Sequence, residues 1–368
     1  MSKVLITTIA DLGKLSNLKS NQSEAIIRAF RKKGHSVKVL CRDYSHYKAS
    51  RILPLGATVP KILSFIEEKI PFPGRKITNY LIDLCSSLRV KKEYSLVVTI
   101  PSQFPKTLRK AKKLGITTLI YEGVAHPKTS YEIMRKEDPD YILNEQALET
   151  LRYVDYVLTL SEFAKESYIK NGFDPDKVLC APTGVDSDKY KPGKKDDKFR
   201  VLAVGNYDLR KGFHYLLQAW DEMKLPDSEL VILGNPLGKM KEIVAKYEKK
   251  LSDFKAVRYK DALSYYQNAS IYVLPSLLEG SSKTIYEAMA CGLPVLCTYE
   301  SGSIARDKKD GFIIPSRNVK AIKEKILYLH KNPSKRFIMG RNARERVVDN
   351  YQWKHFSTRI FTELEKIK

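Results

Sequence analysis

The chain has 368 residues, 43% of them hydrophobic, and a mean hydropathy of −0.35, which suits two domains that each bury a core. No apolar run approaches the roughly 20 residues of a spanning helix, and MSKVLITTIADLGK at the start reads as a first buried strand instead of a signal peptide. The net charge is +23, and residues 1–113 hold 23 Lys and Arg against 7 Asp and Glu; such a field either belongs to solvated surface lysines or attracts an anionic membrane surface.

Taken in order, residues 3–10 predict a strand, 21–33 a helix with Ile26, Ile27 and Phe30 on one face, and 36–41 a second strand. This is a βαβ opening, with Gly34-His35 as its turn, so His35 belongs to the turn and not to a site. Residues 62–70 predict a helix broken at Pro71-Phe72-Pro73-Gly74, followed by an amphipathic helix over 77–92. A strand over 94–100, a basic helix over 103–113 and a strand over 116–121 continue the alternation. That pattern predicts a parallel doubly wound sheet with ligands at the C-terminal strand ends. One such end leads into Glu122–Pro127, which contains His126; a lone histidine there is most often structural. Residues 131–149 predict helix, 155–161 a strand with a helix after it, and 178–181 the last strand of the first half. The charge-dense YKPGKKDDKFR of 190–200 predicts a linker.

The alternation then restarts: strands at 200–205, 229–234 and 255–259, helices at 213–223, 239–251 and 263–268. After residues 271–299 come a strand over 311–315, helices over 319–330 and 334–350, and an amphipathic helix over 353–368. Five cysteines (Cys41, Cys85, Cys180, Cys291, Cys297) show no CxxC spacing, which predicts a reduced, zinc-free, cytoplasmic protein, peripheral to the membrane if its basic third docks there. The basic residues are dispersed without regular aromatic interleaving, so nucleic acid is not an expected partner.

Residues 271–299 carry the chemistry. They predict a strand, a turn through Gly280, Ser281 and Ser282, a helix opening at Lys283 and Thr284, and a second strand over 295–298. The helix start offers unpaired N–H groups and the positive end of a dipole, which hold a phosphate. Glu279 and Glu287, eight positions apart, then flank that phosphate and accept hydrogen bonds from sugar hydroxyls. The combination suits a nucleotide-sugar, although one loop acid and one helix acid also arise as capping or surface residues. A second loop, Gly205–Gly212, presents Arg210 and Lys211 before a helix; a guanidinium fork and a point charge suit a diphosphate. Asp138-Pro139-Asp140 has the form of a metal-binding DxD, but it falls in a predicted helical, acidic stretch beside a proline, so no metal is expected.

The run EGSSKTIYEAMACGLPV from Glu279 to Val295 resembles the E-x7-E signature of retaining, nucleotide-sugar-dependent glycosyltransferases of family 4, the group 1 type. Gly205–Gly212 resembles their basic phosphate-gripping loop, and Thr183-Gly184-Val185-Asp186 the passage that closes their first domain. The resemblance implies an α/β fold of two Rossmann-like doubly wound domains facing a cleft (GT-B). Its first domain would cover 1–190, with helix 353–368 packing back onto it, and its donor domain 198–352. Arg210 and Lys211 would grip the donor diphosphate with Gly205, Gly280, Ser281, Ser282, Lys283 and Thr284. Glu287 would hold the ribose, Glu279 would orient the sugar, and His126 would line the cleft beside it. Gly13 stands where many members have a glycine pair, Asn206 where many have a cation, and Tyr259 and Lys260 near the expected base. The implied partners are a nucleotide-diphospho-sugar donor and a glycan or lipid-linked acceptor, with no cofactor and no metal. A GT-B phosphorylase, a nucleotide-sugar epimerase and a non-catalytic nucleotide-sugar or anionic-lipid binder are the competing readings; Glu279, Glu287, Arg210 and Lys211 together favour transfer.

Overall fold

The computed structural model describes residues 2–8, 11–12, 18–41, 43–44, 50–51, 71–100, 104–194, 197–258 and 261–367. Strands of the first half are β1 (Lys3–Thr8), β2 (Asp11–Leu12), β3 (Ser36–Cys41), β4 (Asp43–Tyr44), β5 (Ser50–Arg51), β6 (Leu96–Ile100), β7 (Thr117–Tyr121), β8 (Tyr156–Thr159) and β9 (Val178–Cys180). Those of the second half are β10 (Phe199–Val204), β11 (Ser228–Leu233), β12 (Phe254–Val257), β13 (Ile271–Leu274), β14 (Val295–Thr298) and β15 (Gly311–Ile314). Among the described residues they form two main parallel sheets, ordered β5-β3-β1-β6-β7-β8-β9 and β12-β11-β10-β13-β14-β15, and β2 pairs with β4 alone. Helices cover both faces, so central strands are buried throughout and mostly apolar: every residue of LVVTI in β6 and SELVIL in β11 is buried. The molecule has the GT-B architecture of two Rossmann-like domains. No helix among the described residues is long and apolar enough to cross a membrane.

In each sheet the winding reverses at its first strand. β1 lies between β3 and β6, and β10 lies between β11 and β13. The loops leaving β10 and β13 therefore emerge side by side at a switch point, where an open α/β sheet binds its ligands. This adjacency, with Val201 opposite Ile271, brings the two sequence motifs together.

The halves are joined by two crossings. Val185 N–H donates to Tyr351 O (2.9 Å), and a Cβ on Gly184 would lie 2.8 Å from the Trp353 backbone. Beyond that crossing, helix Trp353–Leu364 buries Phe356, Ile360 and Leu364 in the first domain's core against Ile26, Ile27 and Phe30.

Two local expectations are corrected. Pro71–Gly74, expected as a break between two helices, is the first turn of helix Pro71–Ser87, because proline is tolerated in a first turn whose N–H groups lack intrahelical partners. The single helix expected over 131–149 is two, Pro127–Met134 and Glu145–Leu151. Asp138 and Asp140 consequently sit in the connection between them, each an acceptor for Lys239 (2.7 and 3.4 Å). The helix expected over 62–70 lies outside the described residues.

Candidate active site

The donor-side loops are locked backbone to backbone. After β10 the chain passes Gly205 (φ +133°) into a 3₁₀ turn, Leu209–Lys211, and then Gly212 (φ +68°), where a Cβ would meet Pro275 O at 2.0 Å. Only glycine fits so close an approach. Leu277 N–H donates to Arg210 O (2.8 Å), fastening this loop to the one that follows β13. On its other side, Asn206 Oδ1 accepts from the backbone N–H of Asn235 (3.0 Å), so Asn206 braces neighbouring strand ends.

This scaffold aims two cations at one oxygen. Arg210 Nη1 and Lys211 Nζ each lie 2.5 Å from Glu279 Oε1, and Arg210 Nη1 also donates to Leu278 O (3.0 Å). Burial pushes the Glu279 carboxyl up, but the adjacent Lys211 and Arg210 charges outweigh it and hold the pKa below the usual value. A carboxylate oxygen thus occupies the focus where two cations converge, a position equally suited to a phosphate oxygen.

Beside that focus, helix Lys283–Ala290 begins with no side-chain cap from Ser282. Ser281 Oγ is engaged with Tyr286 Oη (2.9 Å) and Ser282 Oγ with Thr284 Oγ1 (3.0 Å). Glu287 is 4% exposed; it receives the Tyr266 phenol (2.9 Å) and pairs with Lys283 (3.2 Å). Tyr272 donates to Thr284 Oγ1 (2.6 Å). The E-x7-E helix is therefore held from its buried side by two tyrosines.

The first domain meets this wall at Gly280, where a Cβ would lie 1.3 Å from Gly123 O. Beyond its backbone N–H, Gly280 permits the two domains to touch. His126 follows three residues after Gly123, but its ring faces inward. Its Nδ1 accepts from Lys128 N–H (3.2 Å) as the cap of helix Pro127–Met134, and it packs edge-on against Tyr168 at 5.2 Å between ring centroids. Burial, followed by the Lys128 charge, lowers its pKa to about 4, so it is neutral at ordinary pH. The residue expected beside the sugar is here a helix cap, 3% exposed. Gly13 and Tyr259 lie outside the described residues.

Sequence reasoning missed a second contact between the domains. Glu137 of the first domain receives Arg317 Nε (2.5 Å) and the Tyr215 phenol (2.9 Å), with His214 Nε2 at 3.2 Å. Arg317 reaches it from a left-handed backbone (φ +60°) and also donates to Ile133 O (2.7 Å). Ala125, Met134, Leu277 and Leu278 form an apolar seam between the domains. No local motif signals partners 77 to 180 positions apart.

Two facing Rossmann-like domains, with paired cations and an uncapped helix start at the switch point of the second, define the GT-B glycosyltransferase class. The family models agree: Glycosyltransferase Family 4 matches residues 21–189 and Glycosyl transferases group 1 matches residues 185–346. The chain belongs to the group 1/family 4 glycosyltransferases. An uncharacterized glycosyltransferase of Haemophilus influenzae is 30% identical over 188 residues, covering 49% of this chain and 52% of its own length. The UDP-Gal:alpha-D-GlcNAc-diphosphoundecaprenol alpha-1,3-galactosyltransferase of Escherichia coli is 24% identical over 315 residues, 78% and 77% of the two chains. The match spans about half the length of the first of these curated relatives. Among solved structures, Anabaena Alr3699/HepE in complex with UDP and glucose superposes with a TM-score of 0.69 at 14% identity, over 100% of both chains.

Proposed function

We propose that the protein is a glycosyltransferase that moves a sugar from a nucleotide-diphospho-sugar to a hydroxyl of a glycan or lipid-linked acceptor, with retention at the anomeric carbon. The observation that carries this reading is the convergence of Arg210 and Lys211 on Glu279 Oε1, 2.5 Å from each, beside the uncapped start of helix Lys283–Ala290.

In this reading the donor diphosphate takes the place of Glu279 between the two cations, and Glu279 turns to the hydroxyls of the transferred sugar. Glu287 accepts from the ribose diol, and the N–H groups at Lys283 and Thr284 face the diphosphate. The bond from the anomeric carbon to the diphosphate oxygen breaks, and its electron pair leaves with the diphosphate. The acceptor oxygen attacks from the same face, and its proton passes to a diphosphate oxygen. Two fixed cations and a helix end stabilise charge where it develops, so the reading assigns no step to a metal. The basic field of residues 1–113 favours an acceptor presented at an anionic membrane, with the protein at its surface. UDP-sugars are the first donors to test, because the Escherichia coli relative is named for UDP-Gal and the Anabaena structure holds UDP.

A panel of nucleotide-sugars assayed by nucleotide release, with and without EDTA, tests the reading. Turnover with at least one donor, undiminished by EDTA, is expected. Binding of nucleoside diphosphates without turnover of any donor, whatever the acceptor, would favour the non-catalytic binder.

A further inference from the structure

Away from the cleft, the first domain presents a surface with no part in the site. Helix Pro71–Ser87 turns Ile82, Asp83 and Ser86 inward, each at most 2% exposed. Across the helix Tyr80 is 53% exposed, Leu84 37% and Leu88, in the turn that ends it, 76%. Leu88 N–H still donates to Leu84 O (3.2 Å), so the spacing of four sets the three side chains in one row. A helix at an aqueous surface keeps its outer face polar; apolar residues on both faces call for a second covering.

What lies beside the row identifies that covering. Helix Pro105–Lys113, PKTLRKAKK, contains no acid. Asp83 accepts the backbone N–H groups of Lys106 (2.8 Å) and Thr107 (2.9 Å), which fastens this helix to the first one. Lys106 Nζ stands 4.4 Å from the centroid of the Tyr80 ring. At helical spacing Lys106, Arg109, Lys110 and Lys113 fall in one arc. Among the described residues no carboxylate pairs with any of these four, while Lys112, round the helix, is tied to Asp155 (2.6 Å).

The geometry points to this face as the surface by which the protein docks on an anionic lipid bilayer. Tyr80, Leu84 and Leu88 enter the interfacial layer, and the four cations lie against the lipid phosphates. The two features select lipid together: an exposed aliphatic row gains nothing from a nucleic-acid backbone, and an acid-free cationic helix disfavours a second copy of this basic chain. Tyrosine suits the boundary because one end of its ring is apolar and the other polar. The apolar row and the cations reinforce each other, as in helices that lie in a membrane surface. The surface is separate from the Glu279 cluster, so its test needs neither donor nor acceptor; it rests on the membrane-presented acceptor of the proposed function, and its failure would remove that acceptor but leave transfer from a nucleotide-sugar standing.

The full chain is sedimented with vesicles of phosphatidylcholine alone and of phosphatidylcholine with about one-third phosphatidylglycerol, at low and high salt. Binding to the anionic vesicles, weakened by salt and absent from the neutral ones, is expected. Lys106→Ala/Lys110→Ala/Lys113→Ala lowers the partition coefficient about a hundredfold, near fivefold for each cation, and Leu84→Ser/Leu88→Ser lowers it independently. Lys110, Lys113, Leu84 and Leu88 are exposed and Lys106 is half-buried with its Nζ over Tyr80, so both variants should melt near the parent. A Leu88→Trp variant gains emission that brominated lipid quenches, beyond any quenching of native Trp220 and Trp353. No binding at low salt overturns the proposal, as does binding indifferent to both variants. Capture of an oligonucleotide or dimerisation in solution, lost in these variants while vesicles are ignored, assigns the face to another partner and overturns it too.

Discussion

The phenol of Tyr266 donates to Glu287 Oε2 across 2.9 Å in a fully buried setting. Tyr266 comes from helix Leu263–Asn268, and its ring rests edge-on against Tyr190 and tilted against Tyr272, each 6.0 Å between centroids. The aromatic cluster fixes the phenol, and the phenol holds Oε2 of Glu287, which leaves Oε1, paired with Lys283 across 3.2 Å, as the oxygen that turns to a ligand. Tyr266→Phe keeps the ring and removes one bond to a charged acceptor, worth about 1.5–3 kcal/mol. The donor KM is therefore expected to rise at least about tenfold with kcat nearly unchanged. With a 2′-deoxyribose donor the parent and variant should converge; an equal loss for both donors would show that Tyr266 acts only on packing.

Arg210 and Lys211 share Glu279 Oε1, which predicts opposite effects on opposite sides of the pair. Lys211→Ala should weaken nucleoside diphosphate binding by about tenfold or more, the value of a charge-assisted bond, and leave nucleoside binding alone. Glu279→Gln removes the resident anion, so diphosphate binds more tightly while sugar transfer falls. Calorimetric titration reads both signs, and weaker diphosphate binding in Glu279→Gln would contradict the exchange of one anion for another.

Glu137 with Arg317 is a clasp between the domains. Burial pushes the Glu137 carboxyl up, but hydrogen bonds from Arg317 and Tyr215 and the Arg317 charge bring it below the usual value. Glu137→Ala also releases Tyr215 and His214, so it should open the cleft at least as far as Arg317→Ala, and the double variant should open it by less than the sum of the two, because both changes remove the Glu137–Arg317 bond. Small-angle scattering measures this as a larger radius of gyration. Additive increases would mean that the two residues act separately.

Glu229 is a stability element remote from the cleft. Its side chain is 6% exposed and receives Arg200, Lys255 (3.0 Å) and Lys198 (3.6 Å). Burial raises its pKa, but the bonds from Arg200 and Lys255, with the Arg200 and Lys198 charges, bring it from 4.5 to about 2. A folded pKa below the unfolded one stabilises fully above the unfolded value and is lost as pH falls through the folded one. Glu229→Gln should therefore cost about 2–3 kcal/mol at neutral pH, and the difference should vanish as pH drops from 4.5 towards 2. Denaturant unfolding across that range measures it.

His126 separates cap from chemistry. Asparagine is a good N-cap, so His126→Asn should preserve stability where His126→Ala loses about 1 kcal/mol. With its pKa near 4, His126 should leave no limb near pH 6.5 in a rate profile. Transfer abolished in an otherwise stable His126→Asn protein would assign it a direct role at the substrate.

The alternation of short apolar strands with amphipathic helices determined the two-domain parallel architecture from sequence alone, because strands buried on both faces must be continuously apolar. The Glu279–Val295 run and the Gly205–Gly212 loop were legible as a candidate phosphate site for a similar reason: a glycine turn, a helix start and fixed cations within a few residues are what a phosphate would need. The helix start at Pro71, six residues before the expected one, was hidden because proline breaks a helix interior yet suits a helix start, and only the surrounding chain decides which applies. Tertiary structure alone decided that Arg210 and Lys211 meet on Glu279, since that follows from β10 lying beside β13. It also decided that Tyr266 holds Glu287, that Glu137 clasps Arg317, that His126 turns inward, and that Tyr80, Leu84 and Leu88 are left on the outer face. Each of these joins residues far apart in the chain or depends on which helix face is already covered, and local periodicity carries no record of either.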